Sequence, residues 1–255
     1  MPWDPDCYQR FQAQRYAPFE DLVRHIRVRE ALRVADLGCG TGELTARLAG
    51  MLPSSEVIGI DSSPAMLERA RRFLRPGLSF REGSMEALAG TWDLVFSHAA
   101  IHWVDDHRKL VPNLFYHVNP GGQLILQFPS NHAHPVHGII RETASAEPFL
   151  GALGGPLRTS PVLPLEEYGE ILHRCGARGF LLIEKIYPHL LEDAEALLFW
   201  LLGTTLVPTM ERLPEKLKEP FRRALLEKFR RRWPGRPVYF GFKRILLAAD
   251  RPTEE

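Results

Sequence analysis

The feature that most limits what this chain can fold into is the stretch Val34 to Gly42, VADLGCGTG, taken with Asp61 at the end of IGID. A short apolar run breaks into glycines at alternate positions, Gly38, Gly40 and Gly42, and residues 43–52 then read as a helix. Glycine tolerates the positive φ angles of a tight turn and lets a ligand lie against bare backbone. The N–H groups that open a helix attract polar or anionic groups. Strand, turn and helix N-terminus therefore make a ligand cradle. A second apolar run, 57–60, ends in Asp61 about 20 residues after the turn, the offset at which an acidic side chain meets ribose hydroxyls. The G-x-G-x-G spacing differs from the G-x-G-x-x-G that seats a dinucleotide pyrophosphate, and Asp36 stands two residues before the first glycine.

Around this cradle the chain alternates. Strands are predicted at 34–37, 57–60, 78–81, 94–97 and 123–128, with helices at 43–52, 64–74 and 106–116 and a short helical turn near 85–88. Repeated βαβ units of this length require a parallel sheet with helices on both faces, and ligands of such sheets bind beyond the carboxyl ends of the strands. Gly38–Gly42, Asp61, Ser84, Met85 and residues 97–102 then share one rim. Ser62-Ser63-Pro64 reads as an N-cap with proline at the start of the second helix, and Pro120-Gly121-Gly122 as a turn before the fifth strand.

The flanks are less regular. Pro5 starts a short predicted helix carrying Tyr8, Phe11 and Arg15, and Pro18 a second, over 19–29. Residues 131–161 interrupt the alternation with His132, His134 and His137, Arg141 and a Gly/Pro-rich run, and read as a lid. The histidines lack a companion carboxylate or cysteine pattern, so no metal is expected. A helix over 164–175 and a strand over 180–187 follow, then helical segments to 236, with a helix break expected at Pro220. The strand 238–249 is expected to close the sheet. The layout is thus a helical flap (1–32), a Rossmann-like core (33–130), a lid insertion (131–163), a core helix and strand (164–190), a helical cap (191–236) and a C-terminal core strand (237–255).

Composition excludes several classes. A net charge of +1 argues against a protein governed by nucleic-acid affinity. The cluster Lys228–Arg236, KFRRRWPGR, reads as a solvated helix end stopped by Pro234-Gly235. No basic and apolar leader opens the chain, and the longest apolar run, ALLFWLLG, is far short of the about 20 residues a membrane span needs. Three scattered cysteines, Cys7, Cys39 and Cys175, suit a reducing cytoplasm and suggest neither disulfide frame nor metal.

These residues resemble the class I S-adenosylmethionine-dependent methyltransferases and, within them, the trans-aconitate 2-methyltransferase family. WDPDCYQRFQAQR, VADLGCGTGELT, GIDSSPAMLERA, FSHAAIHWVDDH and VNPGGQLILQFPSNHAHPVHGIIRE carry the likeness. It implies a doubly wound, mostly parallel seven-stranded sheet with a helical flap and lid, S-adenosylmethionine as cofactor and S-adenosylhomocysteine as product. Asp36, Gly38, Cys39, Gly40, Thr41 and Gly42 would hold the methionine end, Asp61 the ribose, Ser62 and Met66 the adenosine, and Ser84 and Met85 the adenine, with Ser97 on the rim and Tyr8 and Arg15 in the flap. In many relatives an aspartate replaces Ser84; a serine hydroxyl still accepts one hydrogen bond.

The implied reaction is O-methylation of a small carboxylate such as trans-aconitate. A carboxylate is ionised at neutral pH, so alignment and desolvation suffice and no catalytic base is required. An amine, phenol or carbon acceptor would need one, and His98 and His102 are the candidates. Recognition of several carboxylates calls for arginine and other donors, here Arg15, His102, Trp103, His137, Arg141, Tyr187, His189 and Trp200. A carrier-bound acyl, amine or carbon acceptor is the alternative within the class. A nicotinamide-dependent oxidoreductase and a nucleic-acid-binding protein are the rivals outside it. Sequence leaves the oligomeric state open.

Overall fold

A computed structural model describes residues 12–253, with side chains from residue 16. Its elements are α1 (Gln12–Val23), β1 (Arg33–Leu37), α2 (Glu43–Met51), β2 (Glu56–Asp61), α3 (Pro64–Ala70), β3 (Leu78–Glu82), β4 (Trp92–His98), α4 (His107–Tyr116), β5 (Val118–Pro129), α5 (Pro135–Ala144), α6 (Phe149–Leu153), α7 (Leu165–Arg174), β6 (Arg178–Leu191), α8 (Ala194–Leu202), α9 (Val207–Arg212), α10 (Glu215–Arg232) and β7 (Val238–Asp250). The strands form one seven-stranded sheet in the order β3-β2-β1-β4-β5-β7-β6. The pairs among β1 to β5 are parallel, while β7 runs antiparallel to β5. The expected doubly wound, mostly parallel sheet is therefore present. Strand order reverses between β1 and β4, the point at which such sheets bind ligands.

Two compact units divide the chain. The larger is built on residues 17–130, 160–185 and the chain from 243 onward; the smaller on 131–159 and 186–242. In the larger unit, side chains of successive strand residues leave opposite faces of the sheet, and both faces are covered. One core joins Leu37, Val95, Leu124, Leu126 and Leu247 to Leu110, Leu114 and Tyr168. The other joins Val34, Leu94, Phe96, Ile125 and Leu246 to Phe19, Leu22 and Leu48. Coverage on both sides is what the near-continuous apolar strands require. The smaller unit has its own core, in which Val136, Ile140, Leu197, Trp200, Phe221, Leu225, Phe229 and Phe240 meet.

Several boundaries differ from the sequence reading, each for a local reason. The helix expected from Pro18 over 19–29 ends at Val23, and Pro18 lies inside α1. Turn hydrogen bonds from His25 N to Leu22 O and from Ile26 N to Val23 O carry the chain on, so Ile26 is buried without a helix. Pro220 breaks no helix; it lies inside α10, whose residues Phe221, Leu225 and Phe229 recur every four positions as a buried stripe. The break falls at Leu213, which the following Pro214 forces into an extended conformation. Pro120-Gly121-Gly122 is not a turn ahead of β5 but an irregularity within it, where the pairing with β4 shifts register between Trp92 and Leu94. β7 does not close the sheet; it lies between β5 and β6, and β6 forms the edge. The expected N-terminal helix carrying Tyr8 and Phe11 lies outside the described residues.

Candidate functional site: a glycine cradle and the row beside it

The turn after β1 is stitched to the end of β2. Gly38 N and Cys39 N both donate to Ile60 O, at 2.7 and 3.2 Å. All three glycines have positive φ, 72°, 54° and 74° for Gly38, Gly40 and Gly42, yet they are required for different reasons. A Cβ on Gly38 would lie 2.1 Å from Ala100 Cβ, and one on Gly42 2.7 Å from the Phe80 ring. A Cβ on Gly40 would meet nothing within 4 Å. Gly38 and Gly42 thus admit close packing, whereas Gly40 borders open space. α2 begins directly after Gly42, which provides no side-chain cap to the N–H groups of its first turn.

Asp61 holds this loop from the opposite side. Its Oδ2 accepts from Gly40 N at 2.8 Å and its Oδ1 from Ser63 N at 2.9 Å. Each carboxylate oxygen has a second lone pair, so two hydroxyls can still be accepted by a side chain that is already oriented. Ser63 caps α3, its Oγ accepting from Met66 N at 3.4 Å; Ser62 is exposed and Met66 half-buried. Ser84 caps the short turn Met85–Ala87 through Glu86 N at 3.1 Å, and Met85 Cε is 3.5 Å from the position a Gly38 Cβ would take.

Asp36 is almost fully buried, and Thr45 Oγ1 donates to its Oδ2 at 2.6 Å. Burial drives its carboxyl up to about 7 against the Thr45 hydrogen bond, and the Asp61 charge adds to the rise. The same burial and both carboxylates push the Cys39 thiol upward, so it stays protonated. The cradle accordingly holds a carboxyl, Asp36, whose ionised form a cationic ligand group would stabilise.

At the end of β4 the candidates separate. Ser97 does not reach the rim; its side chain is fully buried and its hydroxyl donates to Leu37 O at 2.8 Å, tying β4 to β1. His98 is partly buried, edge-on to Phe19 with ring centroids 5.8 Å apart. In the amide orientation that gives both its atoms a partner, Gln127 donates to His98 Nε2 at 3.1 Å and accepts from Arg244 Nη1 at 3.0 Å and Phe128 N at 3.1 Å. Burial, then the Arg244 charge, lower His98 to about 3. A ring so weakly basic, with Nε2 already accepting, is a poor general base near neutral pH. Ala99 follows at φ 56°, its N–H donating to Gln127 O at 2.7 Å.

The remaining predicted residues lie elsewhere. His102 and Trp103 share a short turn, rings 4.8 Å apart, with Trp103 57% exposed. Arg15 is in α1, where its side chain is not described, and Tyr8 lies outside the described residues. In the smaller unit His137 and Arg141 are one turn apart on α5, and burial followed by the neighbouring Arg141 lowers His137 to about 4, so it is neutral. Tyr187, His189 and Trp200 are buried there, with His189 and Trp200 rings 4.9 Å apart. Within the Lys228–Arg236 cluster, Lys228 pairs with Glu142, Arg230 with Glu195, Arg231 with Glu227 and Arg236 with Asp193. Among the described residues no three His, Cys, Asp or Glu side chains are grouped to hold a metal ion, and no helix is long and apolar enough to cross a membrane. Sequence reasoning missed Thr45, Ala100, Gln127 and Arg244. For Gln127 there was a signal, a polar residue inside the apolar run LILQF.

Comparison with known proteins follows this geometry. The family described as methyltransferase domain matches residues 34–122. The trans-aconitate 2-methyltransferase of Deinococcus radiodurans is 42% identical over 258 residues, covering 99% of each chain. That of Variovorax paradoxus is 37% identical over 96% of this chain and 95% of its own. Among solved structures, the YcgJ protein from Bacillus subtilis superposes with a TM-score of 0.62 at 18% identity, over 94% of this chain and 100% of that one, a likeness of fold.

Proposed function

We propose, for a chain that belongs to the trans-aconitate 2-methyltransferase family of S-adenosylmethionine-dependent methyltransferases, that it forms a methyl ester on a carboxylate of trans-aconitate. The observation that carries the acceptor is identity with enzymes of that name over the whole length, outside as well as inside the cofactor domain. The geometry fits the cofactor. Gly40 borders open space, Asp61 is held by two backbone N–H groups with lone pairs to spare, and Asp36 offers a buried carboxyl whose ionised form a cationic group would stabilise. When bound, S-adenosylmethionine supplies a methyl group on a sulfonium.

The residues of this chain bind and orient. In this reading Asp61 takes the ribose, the Gly38–Gly42 backbone and Asp36 the methionine end, and Met66 and Met85 the adenosine. A carboxylate acceptor arrives ionised, so there is no proton to remove, and the low basicity of His98 is no handicap. Incubating the purified protein with S-adenosylmethionine and a panel of di- and tricarboxylates tests the reading. Mass spectrometry is expected to show a trans-aconitate monomethyl ester; none on any panel member would refute it.

The Asp36 carboxyl predicts a pH dependence. With its folded value raised to about 7 from 3.8, Asp36 carries a proton below that pH, and a cationic cofactor favours the ionised form. Cofactor binding therefore expels a proton. The dissociation constant should fall by up to about tenfold per pH unit on approaching pH 7 from below and level off above it. By the same linkage, the unliganded protein loses stability as pH rises between 3.8 and about 7, because there the folded state holds more protons than the unfolded chain. Calorimetry with S-adenosylmethionine, no acceptor being present, in buffers of different ionisation enthalpy reads the released proton; Asp36→Asn should abolish it, and a pH-independent wild type would contradict the assignment.

A further inference from the structure

His107 opens α4 and Tyr168 lies on α7, and both are buried in the core of the larger unit. His107 Nδ1 is 2.5 Å from the Tyr168 hydroxyl and His107 Nε2 is 3.0 Å from Ile101 O, while the Tyr168 oxygen accepts from Leu163 N at 3.2 Å. Chemistry fixes every proton in this series. Burial pushes the Tyr168 hydroxyl well above the usual phenol range, so it keeps its proton. Leu163 N can only donate, which leaves His107 Nδ1 as the acceptor of that proton among the described residues. Nδ1 is therefore bare, and Nε2 carries the hydrogen that the Ile101 carbonyl receives. The relay runs one way, from the Leu163 amide through Tyr168 and His107 to Ile101 O.

Ile101 opens the short turn Ile101–Trp103 at the carboxyl end of β4. The residue before it, Ala100, packs against Gly38 so closely that no Cβ fits between them, so this turn adjoins the cradle. We propose that His107 and Tyr168 are positioning residues for methyl transfer, their relay holding the turn Ile101–Trp103 as a fixed wall of the acceptor site, an inference that rests on the reaction proposed above.

Three observations carry it. Ile101 O accepts from Val104 N at 3.0 Å as well as from His107 Nε2, so both its lone pairs tie down the turn. The relay lies against Phe128, whose ring centroid is 5.7 Å from that of His107 and 5.3 Å from that of Tyr168. In such apolar surroundings a hydrogen bond is strengthened and a lost partner is costly. The cradle, by contrast, is held independently of the relay, through Gly38 N and Cys39 N on Ile60 O and through the Ser97 hydroxyl on Leu37 O. Loosening the relay therefore displaces the acceptor wall and leaves the cofactor in place, and a small misplacement of reactants is enough to slow a transfer reaction.

Two substitutions of His107 divide the relay. Asn reaches the Nδ1 position and keeps an acceptor for Tyr168; Gln reaches the Nε2 position and keeps a donor for Ile101 O. His107→Asn should lower kcat for trans-aconitate methylation by about 10- to 100-fold, whereas His107→Gln stays within about threefold of wild type. Denaturant midpoints should be similar in the two variants, and S-adenosylhomocysteine affinity within about threefold of wild type in both. Equal losses of kcat, or none in either, would overturn the proposal. If H107N does not fold, Tyr168→Phe releases Nδ1 from the other end: a kcat lowered about tenfold at unchanged cofactor affinity supports the relay, and an unchanged kcat overturns it. Nitrogen-15 spectra of the wild type should show the His107 proton on Nε2, and a proton on Nδ1 would also overturn it. A wild type that methylates no carboxylate refutes the proposed reaction, and amide hydrogen exchange then decides the relay alone. Faster exchange at Val104 in H107N and not in H107Q upholds it, and equal exchange overturns it.

Discussion

Replacing Asp61 with alanine will lower the affinity for S-adenosylhomocysteine by about 10² to 10⁴, because two charge-assisted hydrogen bonds to ribose at about 1.5–3 kcal/mol each are lost. The side chain also ties Gly40 to Ser63. The same substitution should therefore accelerate hydrogen exchange at the amides of Gly40 and Ser63 in the ligand-free protein. Asp61→Asn is no remedy, since its amide NH₂ would face one of two backbone donors. The two roles separate with a cofactor analogue lacking the ribose hydroxyls. Wild type should bind it weakly, and D61A should lose little more, because the contact at issue is absent from both. Calorimetry reads all four combinations. An S-adenosylhomocysteine affinity in D61A within about threefold of wild type would remove Asp61 from the site.

Why the cradle was readable in advance and the contact between Arg244 and Gln127 was not follows from how each is placed. The cradle is local: strand, turn, helix and the next strand lie within about 30 residues in βαβ units of this kind, and glycine spacing writes their geometry into sequence. Sheet and class follow from the same periodicity. Arg244 meets Gln127 only because β7 pairs antiparallel with β5, a long-range pairing that no short window encodes. Ser97 shows the reverse error. It occupies the right position on the chain, but strand alternation turns its hydroxyl into the sheet toward Leu37. His98 adjoins it, and its partner Gln127 comes from the neighbouring strand. Its low basicity is thus a property of the assembled sheet, invisible in the motif. For α10, burial of Phe221, Leu225 and Phe229 outweighs the single hydrogen bond that Pro220 removes.

The glycines of the cradle offer the second large effect, because two substitutions of identical chemistry should fail in different ways. Gly38→Ala places a methyl group 2.1 Å from Ala100 Cβ at φ 72°. Left-handed backbone costs an alanine about 1 kcal/mol, and forcing an extra carbon into a packed contact adds about 1–3 kcal/mol, so a loss of about 2–4 kcal/mol in folding stability is expected. Gly40→Ala carries the backbone cost alone, about 1 kcal/mol, since its methyl meets nothing within 4 Å. That methyl instead occupies the space assigned to the cofactor, and S-adenosylhomocysteine affinity should fall by about 30-fold or more, as when a ligand loses close backbone approach. Denaturant unfolding and calorimetry on the two variants distinguish packing from binding. The double variant Gly38→Ala, Ala100→Gly removes the clashing partner and should recover the packing share of the loss, leaving the backbone share. If Ala100→Gly restores nothing, the requirement at Gly38 is conformational rather than steric. If G40A binds normally, the open space beside Gly40 is not where the cofactor lies.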